Sequence, residues 1–238
     1  MKSNTNHKLI VAPQYNWGQS SSQSSYSVDY QAPDPTLAEL KMPWKSGGVE
    51  ICGSFNGVLL LDIGDGICLW NPSIRMYQKI SPPRCTRSSI TYALGYDSIN
   101  DDFKVVGFVT RTAARDVLSM PPFISDGPCT VHVFSSKLSS WKSIGDFDYP
   151  CCLCGPGSVL NGAPHWIRGA LEGPDRTKEL CKSSSAVNYL VAMCIDYINP
   201  KQKTKRIRMP QDWMGFDVAL YVESLVSPPR CNSTRRHC

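Results

Sequence analysis

The segment from Cys52 to Ile80 constrains the fold more than any other part of the chain. It consists of short apolar runs separated by turn residues, which are Asn56-Gly57, Gly64-Asp65-Gly66 and Asn71-Pro72-Ser73. Gly and Asn accept the positive φ angles that tight hairpin turns need. Four short strands within about 30 residues therefore predict one antiparallel sheet. A sheet of this size cannot bury both faces alone, so other sheets must stack against it.

Fainter copies of this segment follow along the chain. Its last strand–turn–strand recurs at 133–144 and again near 195–207, and the opening Gly-Ser-Phe-Asn-Gly is echoed at 157–162. A spacing near 60 residues with four strands per unit is longer than a usual propeller repeat but of that type. We therefore predict four-stranded units around 49–80, 90–145 and 157–208, with almost no helix.

Five motifs, in this order, resemble the F-box-associated domain of plant F-box proteins: FNGVLLL, LWNPSIRMYQKI, LGYDSINDDFKVV, VHVFSSKLSSWKSI and VLNGAPHWI. The resemblance runs from about Val49 to Pro210. It implies an all-β, kelch-related, propeller-like array of antiparallel four-stranded blades, which we expect to be incomplete. It also implies a structural role for the residues of the motifs, which are Asn56, Gly57, Trp70, Asn71, Pro72, Gly95, Tyr96, Asp97, Asp102, Lys104, Trp141, Asn161, Gly162 and Trp166.

The resemblance divides the chain into three parts. Residues 1–48 are expected to be an N-terminal segment that supplies a partial first blade, with strands near Lys8 and Tyr26. Residues 49–226 are expected to form the F-box-associated, propeller-like domain, and residues 227–238 a disordered tail. The stretch before Lys8 is too short for the helical F-box that docks a Skp-type adaptor. We therefore expect a fragment, a truncated gene product or a splice form.

The resemblance weakens beyond Trp213. Asp217–Val226 resembles the strand that ends the domain in this family, but it arrives early, so we expect a blade before it to be missing. An open ring would expose an apolar sheet flank and unpaired backbone groups, and the chain would then self-associate, aggregate or need a partner. Two alternatives stay open. The strand at Val218–Leu225 closes the ring by pairing with the N-terminal segment, or fewer blades suffice.

Composition and cysteine placement point to a reducing compartment. The hydrophobic share of 42% and the charged share of 19% are ordinary for a globular protein, and a net charge of +5 does not by itself indicate a nucleic-acid partner. The sequence shows neither a signal-peptide core nor a run of membrane-spanning length. Cys52, Cys68 and Cys194 lie in apolar strand runs, where Cys acts as a small hydrophobe. A reduced cytosolic or nuclear protein without a membrane partner is predicted.

Candidate metal and catalytic sites are each better explained by structural roles. Cys151 and Cys154, with His165 nearby, are the best zinc candidates, but no second pair follows at finger spacing. His132 and His165 lie in strand patterns with no nucleophile motif. The acidic run Asp97–Asp102 has the wrong ligand positions for a calcium loop and predicts a turn held by Asn and Asp side chains. No cofactor and no metal are predicted.

Two further patterns also favour structural roles. The basic run at 201–208 lacks the interleaved aromatic residues of a nucleic-acid surface, so lysines that protect a sheet edge explain it better. Four aromatic residues fall at repeat positions, which predicts packing between blades: Trp70, Tyr77, Trp141 and Trp166.

The two long loops, Arg111–Pro128 and Gly169–Ser185, are not explained by the fold, and loops on a rigid scaffold commonly carry binding residues. The candidate contacts are Arg111, Arg115, Asp175 and Arg176. The resemblance implies the substrate receptor of a Skp–cullin–F-box ubiquitin ligase, which binds a protein target and is not an enzyme. It would reach a Skp-type adaptor only through an F-box absent from this chain. The alternative is a propeller-scaffold lectin or small enzyme with a central pocket.

Overall fold

The structure is a computed structural model. It describes residues 7–13, 24–42, 49–84, 88–111, 129–147, 158–160, 162–165, 189–194, 203–208 and 216–228. Within these ranges every regular element is a β-strand, so the predicted all-β class is confirmed. The strands are β1 (His7–Pro13), β2 (Ser25–Val28), β3 (Leu37–Leu40), β4 (Glu50–Phe55), β5 (Val58–Asp62), β6 (Ile67–Asn71), β7 (Met76–Ile80), β8 (Ser88–Asp97), β9 (Asp102–Arg111), β10 (Cys129–Ser135), β11 (Ser140–Phe147), β12 (Ser158–Leu160), β13 (Ala163–His165), β14 (Tyr189–Cys194), β15 (Lys203–Arg208) and β16 (Phe216–Val222).

Twelve of these strands form three antiparallel four-stranded sheets. Sheet A has the order β16-β1-β2-β3, sheet B the order β4-β5-β6-β7 and sheet C the order β11-β10-β9-β8. Sheets B and C lie where the sequence predicts four-stranded units. Of the predicted unit at 157–208, the described residues contain β12–β13 and β14–β15, and among these residues the two pairs form separate two-stranded sheets. β12 and β13 have only three residues each, which leaves little strand edge for a third strand to join.

Sheet A joins the two ends of the described chain. β16 pairs with β1 in antiparallel register, from His7 opposite Val222 to Pro13 opposite Phe216. This is the pairing that the sequence left open as an alternative to an open ring. The N-terminal strands β1, β2 and β3 therefore gain their fourth strand from the C-terminal part of the chain.

Sheet B follows from its turns and apolar runs. Asn56 and Gly57 have φ angles of 47° and 75°, the two positive values of a type I′ hairpin turn. β5 and β6 are buried on both faces, which explains why their sequences are apolar without alternation. Leu60 and Leu69 pack toward sheet C, whereas Leu59 packs toward sheet A.

Two apolar cores lie between the sheets. The core between sheets B and C includes Tyr92, Leu94 and Phe134, with Trp141 packed at its edge. The core between sheets A and B includes Ile10, Leu61, Tyr221 and Trp70, and Trp70 is its largest buried side chain. The predicted packing between sheets is thus confirmed for Trp70 and Trp141.

The same prediction is wrong for Tyr77, which is 45% exposed. β7 is an outer strand, and its neighbour Gln78 takes the inward-facing position. Tyr77 lies opposite Trp70 and so shares its face toward sheet A, but that face is not covered at this outer strand. Trp166 lies outside the described residues.

The turn between β12 and β13 docks on sheet C at Gly95. A Cβ atom on Gly95 would lie 3.2 Å from Pro164 Cδ and 3.4 Å from the Gly162 carbonyl oxygen. The next backbone N–H, of Tyr96, donates to that oxygen at 2.7 Å. Two motifs that are distant in sequence therefore meet here; Asn161, beside Gly162, lies outside the described residues.

Candidate functional site

The sheets have two distinct ends, which we call the turn end and the loop end. The turn end carries the tight turns at 56–57, 72–75, 98–101 and 136–139. Gly53 and Leu94, each near the end of its inner strand, are direct neighbours, so the turns after β4 and β8 lie on the same side. The loop end is the opposite end, where the connections after β9 and β13 begin. The described strands that precede the two predicted binding loops, β9 and β13, therefore both run toward the loop end.

The predicted contact residues are placed only in part. Arg111 is the last residue of β9, opposite Ser88, so the expectation that it starts a loop is wrong. The β-branched and aromatic run before it extends the ladder with β8 by one pair. Arg115, Asp175 and Arg176 lie outside the described residues, and their role as contacts stays a prediction.

Three carboxylates, from Glu50, Asp62 and Asp217, meet at the loop end; we call this group the acidic mouth. A β-bulge between Ile51 and Gly53 brings Glu50 opposite Asp62. The Oδ2 atom of Asp217, on β16, accepts a hydrogen bond from the Ile51 N–H at 3.2 Å. The sequence did not reveal this group, because its members come from both halves of the chain and the bulge shifts the hairpin register.

The acidic mouth changes how its own members titrate. Burial of its carboxyl group raises the pKa of Glu50 to about 7, with Asp217 and Asp62 adding like-charge repulsion, although the residue as a whole is exposed at the surface. Burial also raises the pKa of Asp62, against a backbone hydrogen bond from Gly64 that lowers it. The loop end therefore has a negative centre whose charge grows as the pH rises through neutrality.

We expect the free energy of unfolding to fall as the pH rises from about 4.5 to about 7 through Glu50. In this interval Glu50 of the folded chain, with a pKa of about 7, still holds its proton. In the unfolded chain the pKa of Glu50 is about 4.5, so the proton has been released, and the unfolded state is favoured as the pH rises. Glu50→Gln should remove this part of the slope in denaturant titrations at pH 5 and pH 8. Asp34→Asn, at an exposed carboxylate in the turn between β2 and β3, is the matched control and should leave the slope unchanged. An identical slope in Glu50→Gln would contradict the assignment.

At the turn end, Asn71 holds the segment Glu223–Pro228, which we call the strap. The Nδ2 atom of Asn71 donates to the carbonyl oxygens of Ser224, at 3.0 Å, and Val226, at 2.6 Å. Its Oδ1 atom accepts from the Tyr221 hydroxyl and the Ser73 N–H, both at 2.9 Å. Asn71 is fully buried. This motif residue therefore ties the chain after β16 to sheet B.

The strap also fits closely over Gly57. The Ser224 hydroxyl donates to the Asn56 carbonyl oxygen at 2.6 Å. A Cβ atom on Gly57 would lie 2.2 Å from Ser224 Oγ and 2.7 Å from the Val222 carbonyl oxygen. Gly57 thus serves both the hairpin turn and the seat of the strap.

Gly57→Ala should destabilise the fold more than Gly145→Ala. Both glycines have positive φ angles, of 75° and 145°, so both substitutions introduce backbone strain of about 1–2 kcal/mol. Only the Gly57 substitution also displaces the strap, because nothing lies within 4 Å of a Cβ atom on Gly145. Denaturant unfolding of the two variants measures the difference. Equal losses would mean that the strap is not seated on Gly57.

A second buried polar site lies in sheet C, around Asp102. Asp102 accepts from the hydroxyls of Ser135, at 2.6 Å, and Ser136, at 2.7 Å, and from the Lys137 N–H at 3.0 Å; Lys104 forms an ion pair with it. Burial raises the pKa of Asp102, but these donors outweigh burial and lower it to about 2. The site fastens two turns of sheet C together.

The adjacent acidic turn is a structural one, as predicted. Asp97 accepts from the Ile99 N–H at 3.1 Å and from the Asn100 N–H at 3.2 Å, and Asn100 Nδ2 donates to it at 2.7 Å. These are the side-chain-to-backbone bonds of an Asx turn. Lys104 and Asp102, the other motif residues nearby, belong to the buried ion pair.

Exposed aliphatic residues at the turn end form a feature that sequence patterns missed. Ile99, Leu138 and Leu225 are 93%, 76% and 87% exposed. Single exposed aliphatic side chains are normal on protein surfaces. Ile99 and Leu138 are therefore suitable control positions for binding experiments, and the three residues do not define a site.

Chemical sites of other kinds find no support in the described ranges. Among the described residues, no group of three or more His, Cys, Asp and Glu side chains is arranged to hold a metal ion. Burial raises the pKa of the Cys68 thiol to about 12 and that of Cys52 well above its usual value, so neither is an activated nucleophile. Cys151 and Cys154 lie outside the described residues, as does the side chain of His165. No helix in the described part is long and apolar enough to cross a membrane.

Stacked antiparallel four-stranded sheets joined by tight turns define a propeller-like scaffold. A family model for the F-box associated beta propeller domain matches residues 9–173, more than half of the chain. The chain belongs to this family, as its motifs predicted.

Several F-box proteins of Arabidopsis thaliana are similar to the chain. F-box protein At4g22390 is 32% identical over 167 residues, which are 62% of this chain and 40% of that protein. F-box protein CPR1 is 36% identical over 129 residues, 50% of this chain and 30% of that protein. F-box/kelch-repeat protein At3g23880 is 23% identical over 126 residues, 49% of this chain and 31% of that protein. The chain thus matches less than half the length of each relative.

Proposed function

We propose that this chain is the target-recognition module of a Skp–cullin–F-box ubiquitin ligase receptor and binds a protein target at the loop end. The observation that carries the proposal is membership of the F-box associated family, together with similarity to proteins named F-box proteins. In this role the module holds a target and does no chemistry, and ubiquitin transfer belongs to its partners. We place it in the cytosol or nucleus, where reduced cysteines persist.

The loop end suits this role better than the turn end. The turn end is occupied by short hydrogen-bonded turns and by the strap. The Asn71 side chain donates to the strap backbone, and the Asn56 carbonyl oxygen accepts from the Ser224 hydroxyl. β9 and β13 run toward the loop end, and the candidate contacts follow them in the sequence, at a place where loops on a rigid scaffold commonly bind partners. The acidic mouth gives this end a negative centre, which favours a basic patch on the target.

A capture experiment with matched variants tests which end binds. The purified chain is used as bait in plant extract beside a loop-end variant, in which 112–128 is replaced by a short Gly-Ser segment. The control is a turn-end variant, Ile99→Ser with Leu138→Ser, which alters two exposed side chains. We expect the same proteins to bind the chain and the control but not the loop-end variant. The reverse pattern would contradict binding at the loop end.

A degradation assay then tests the link to ubiquitination. Overexpression of the chain should lengthen the half-life of a captured protein, because the chain competes with a full-length receptor without delivering the target. The loop-end variant should have no such effect. Shorter half-lives on overexpression would contradict the proposed competition with a full-length receptor. In a separate binding assay, tight binding of a Skp-type adaptor by the chain itself would contradict the expected need for an F-box.

A further inference from the structure

β16 and the strap form a terminal element that the rest of the chain receives at a preformed site. β16 adds to the free edge of β1 along its whole length. Asp217, the second residue of β16, accepts a hydrogen bond from the Ile51 N–H of sheet B. At the other end of the element, Asn71 holds the strap. Between these points, Tyr221 is buried and its hydroxyl lies 2.6 Å from Ser73 Oγ. The element is therefore recognised at both ends and in the middle.

The contacts that receive this element do not depend on its covalent link to β15. The ladder with β1 and the bonds from Asn71 use backbone atoms of the element. The side chains that are recognised, Asp217, Tyr221 and Ser224, belong to the element itself. A second copy of the chain carries the same element and can satisfy every one of these contacts.

β16 buries less of its apolar surface than the central strands β5 and β6 do. Asp217, Ala219 and Tyr221 alternate toward sheet B, but Val218 and Leu220, on the other face, are 39% and 51% exposed. In contrast, the apolar side chains of β5 and β6 are buried on both faces. A strand packed on one face loses less apolar contact when it detaches. Above about pH 7, where Glu50 ionises, its repulsion with Asp217 also opposes retention of the element, while the Lys8–Glu223 ion pair, at 2.6 Å, favours it.

We propose that the element formed by β16 and the strap is exchangeable, and that the same element of a second copy of this chain fits the site between β1 and sheet B. The product is a strand-exchanged dimer in which the contacts described above are made between two chains. Exchange of an identical terminal element needs no new interface. In each chain the chain's own element competes with the element of the second copy for this site. Residues 209–215, which link β15 to β16, set the effective local concentration of the chain's own element. This inference goes beyond the proposed function and does not depend on it.

Changing the length of that link is the direct test. Residues 209–215 can span at most roughly 25 Å when fully extended, and deleting 211–213 reduces the reach to about 14 Å. Short connections disfavour return of the element to its own chain and thereby favour exchange. We expect roughly tenfold more dimer in the shortened chain than in a control with three residues inserted at the same place. Size-exclusion chromatography with light scattering and native mass spectrometry, at equal protein concentrations, measure the dimer fraction.

Association through the exposed face of β16 is the competing explanation, and a second variant separates the two. Val218→Thr with Leu220→Thr makes that face polar and leaves the backbone ladder and the Asn71 contacts in place. A strand-exchanged dimer survives this change, whereas loss of the dimer would overturn the proposal. A shortened chain that stays monomeric would also overturn it. If the shortened chain does not fold, the unaltered chain is refolded at low and high concentration, and an equal dimer fraction at both would overturn the proposal.

Discussion

Asp102→Asn is expected to lower the stability of the chain by about 3 kcal/mol or more, the usual cost of breaking a buried charge network. The side chain is almost fully buried and receives hydrogen bonds from Ser135, Ser136 and the Lys137 N–H, beside the Lys104 ion pair. An amide at this position presents N–H donors to groups that are themselves donors. For a chain of this length the loss corresponds to a fall in Tm of roughly 6–12 °C, measured by calorimetry or by circular dichroism.

The neighbouring residue supplies the control for this prediction. Asp101 carries the same carboxyl group but is 78% exposed, so Asp101→Asn should change stability by less than about 0.5 kcal/mol. Similar losses in the two variants would show that burial of Asp102 is not what stabilises the turns of sheet C.

The same site makes a signed prediction about acid. Because donors hold the pKa of folded Asp102 at about 2, below its usual 3.8, its contribution is complete above about pH 4 and is lost as the pH falls toward 2. Asp102→Asn should therefore flatten the loss of stability in this interval.

Asn71→Ala is expected to destabilise the chain by about 2–4 kcal/mol, because four hydrogen bonds and a fully buried side chain are lost. Its effect should also be local. The strap and β16 depend on this side chain, so their amide hydrogens should exchange faster, while those of β5 and β6 follow only the global loss. Hydrogen exchange with mass spectrometry distinguishes the two regions.

Asn100→Ala is the matched control for Asn71→Ala. Asn100 lies in an exposed turn, where its side-chain Nδ2 atom donates to Asp97 at 2.7 Å. We expect a loss of at most about 1 kcal/mol and unchanged exchange in the strap. Uniform acceleration of exchange across the chain in Asn71→Ala would mean that the strap has no stability of its own to lose.

Local patterns predicted the hairpins well, because a hairpin depends on residues close in sequence. The positive φ angles at Asn56-Gly57 and the continuous apolar runs beside them determine sheet B almost completely. The turn at Asp97–Asp102 followed from Asx chemistry in the same way. Where a prediction needed only turn type and strand length, it agreed with the structure to within about two residues.

The candidate sites could not be predicted, because they depend on contacts between distant segments. Nothing near Asn71 in the sequence shows that its amide holds the backbone at Ser224 and Val226. The acidic mouth depends on a bulge in β4 and on the packing of β16 beside β4, and neither feature has a recognisable local sequence pattern. The error at Tyr77 has the same origin, since the repeat position does not specify which face of an outer strand is covered. The local sequence signal for the strap site was Asn71 itself, a hydrogen-bonding residue in the Asn71-Pro72-Ser73 turn motif.

The union of the first and last described strands in one sheet has a consequence for the order in which the molecule is made. Sheets B and C each come from one continuous stretch, so each can form as soon as that stretch leaves the ribosome. β1 instead waits for β16, whose residues are synthesised more than 200 positions later, as the pairing of His7 with Val222 requires. Throughout translation one edge of β1 therefore stays open to other strands. During that interval β1 is the strand of sheet A most open to pairing with the wrong partner.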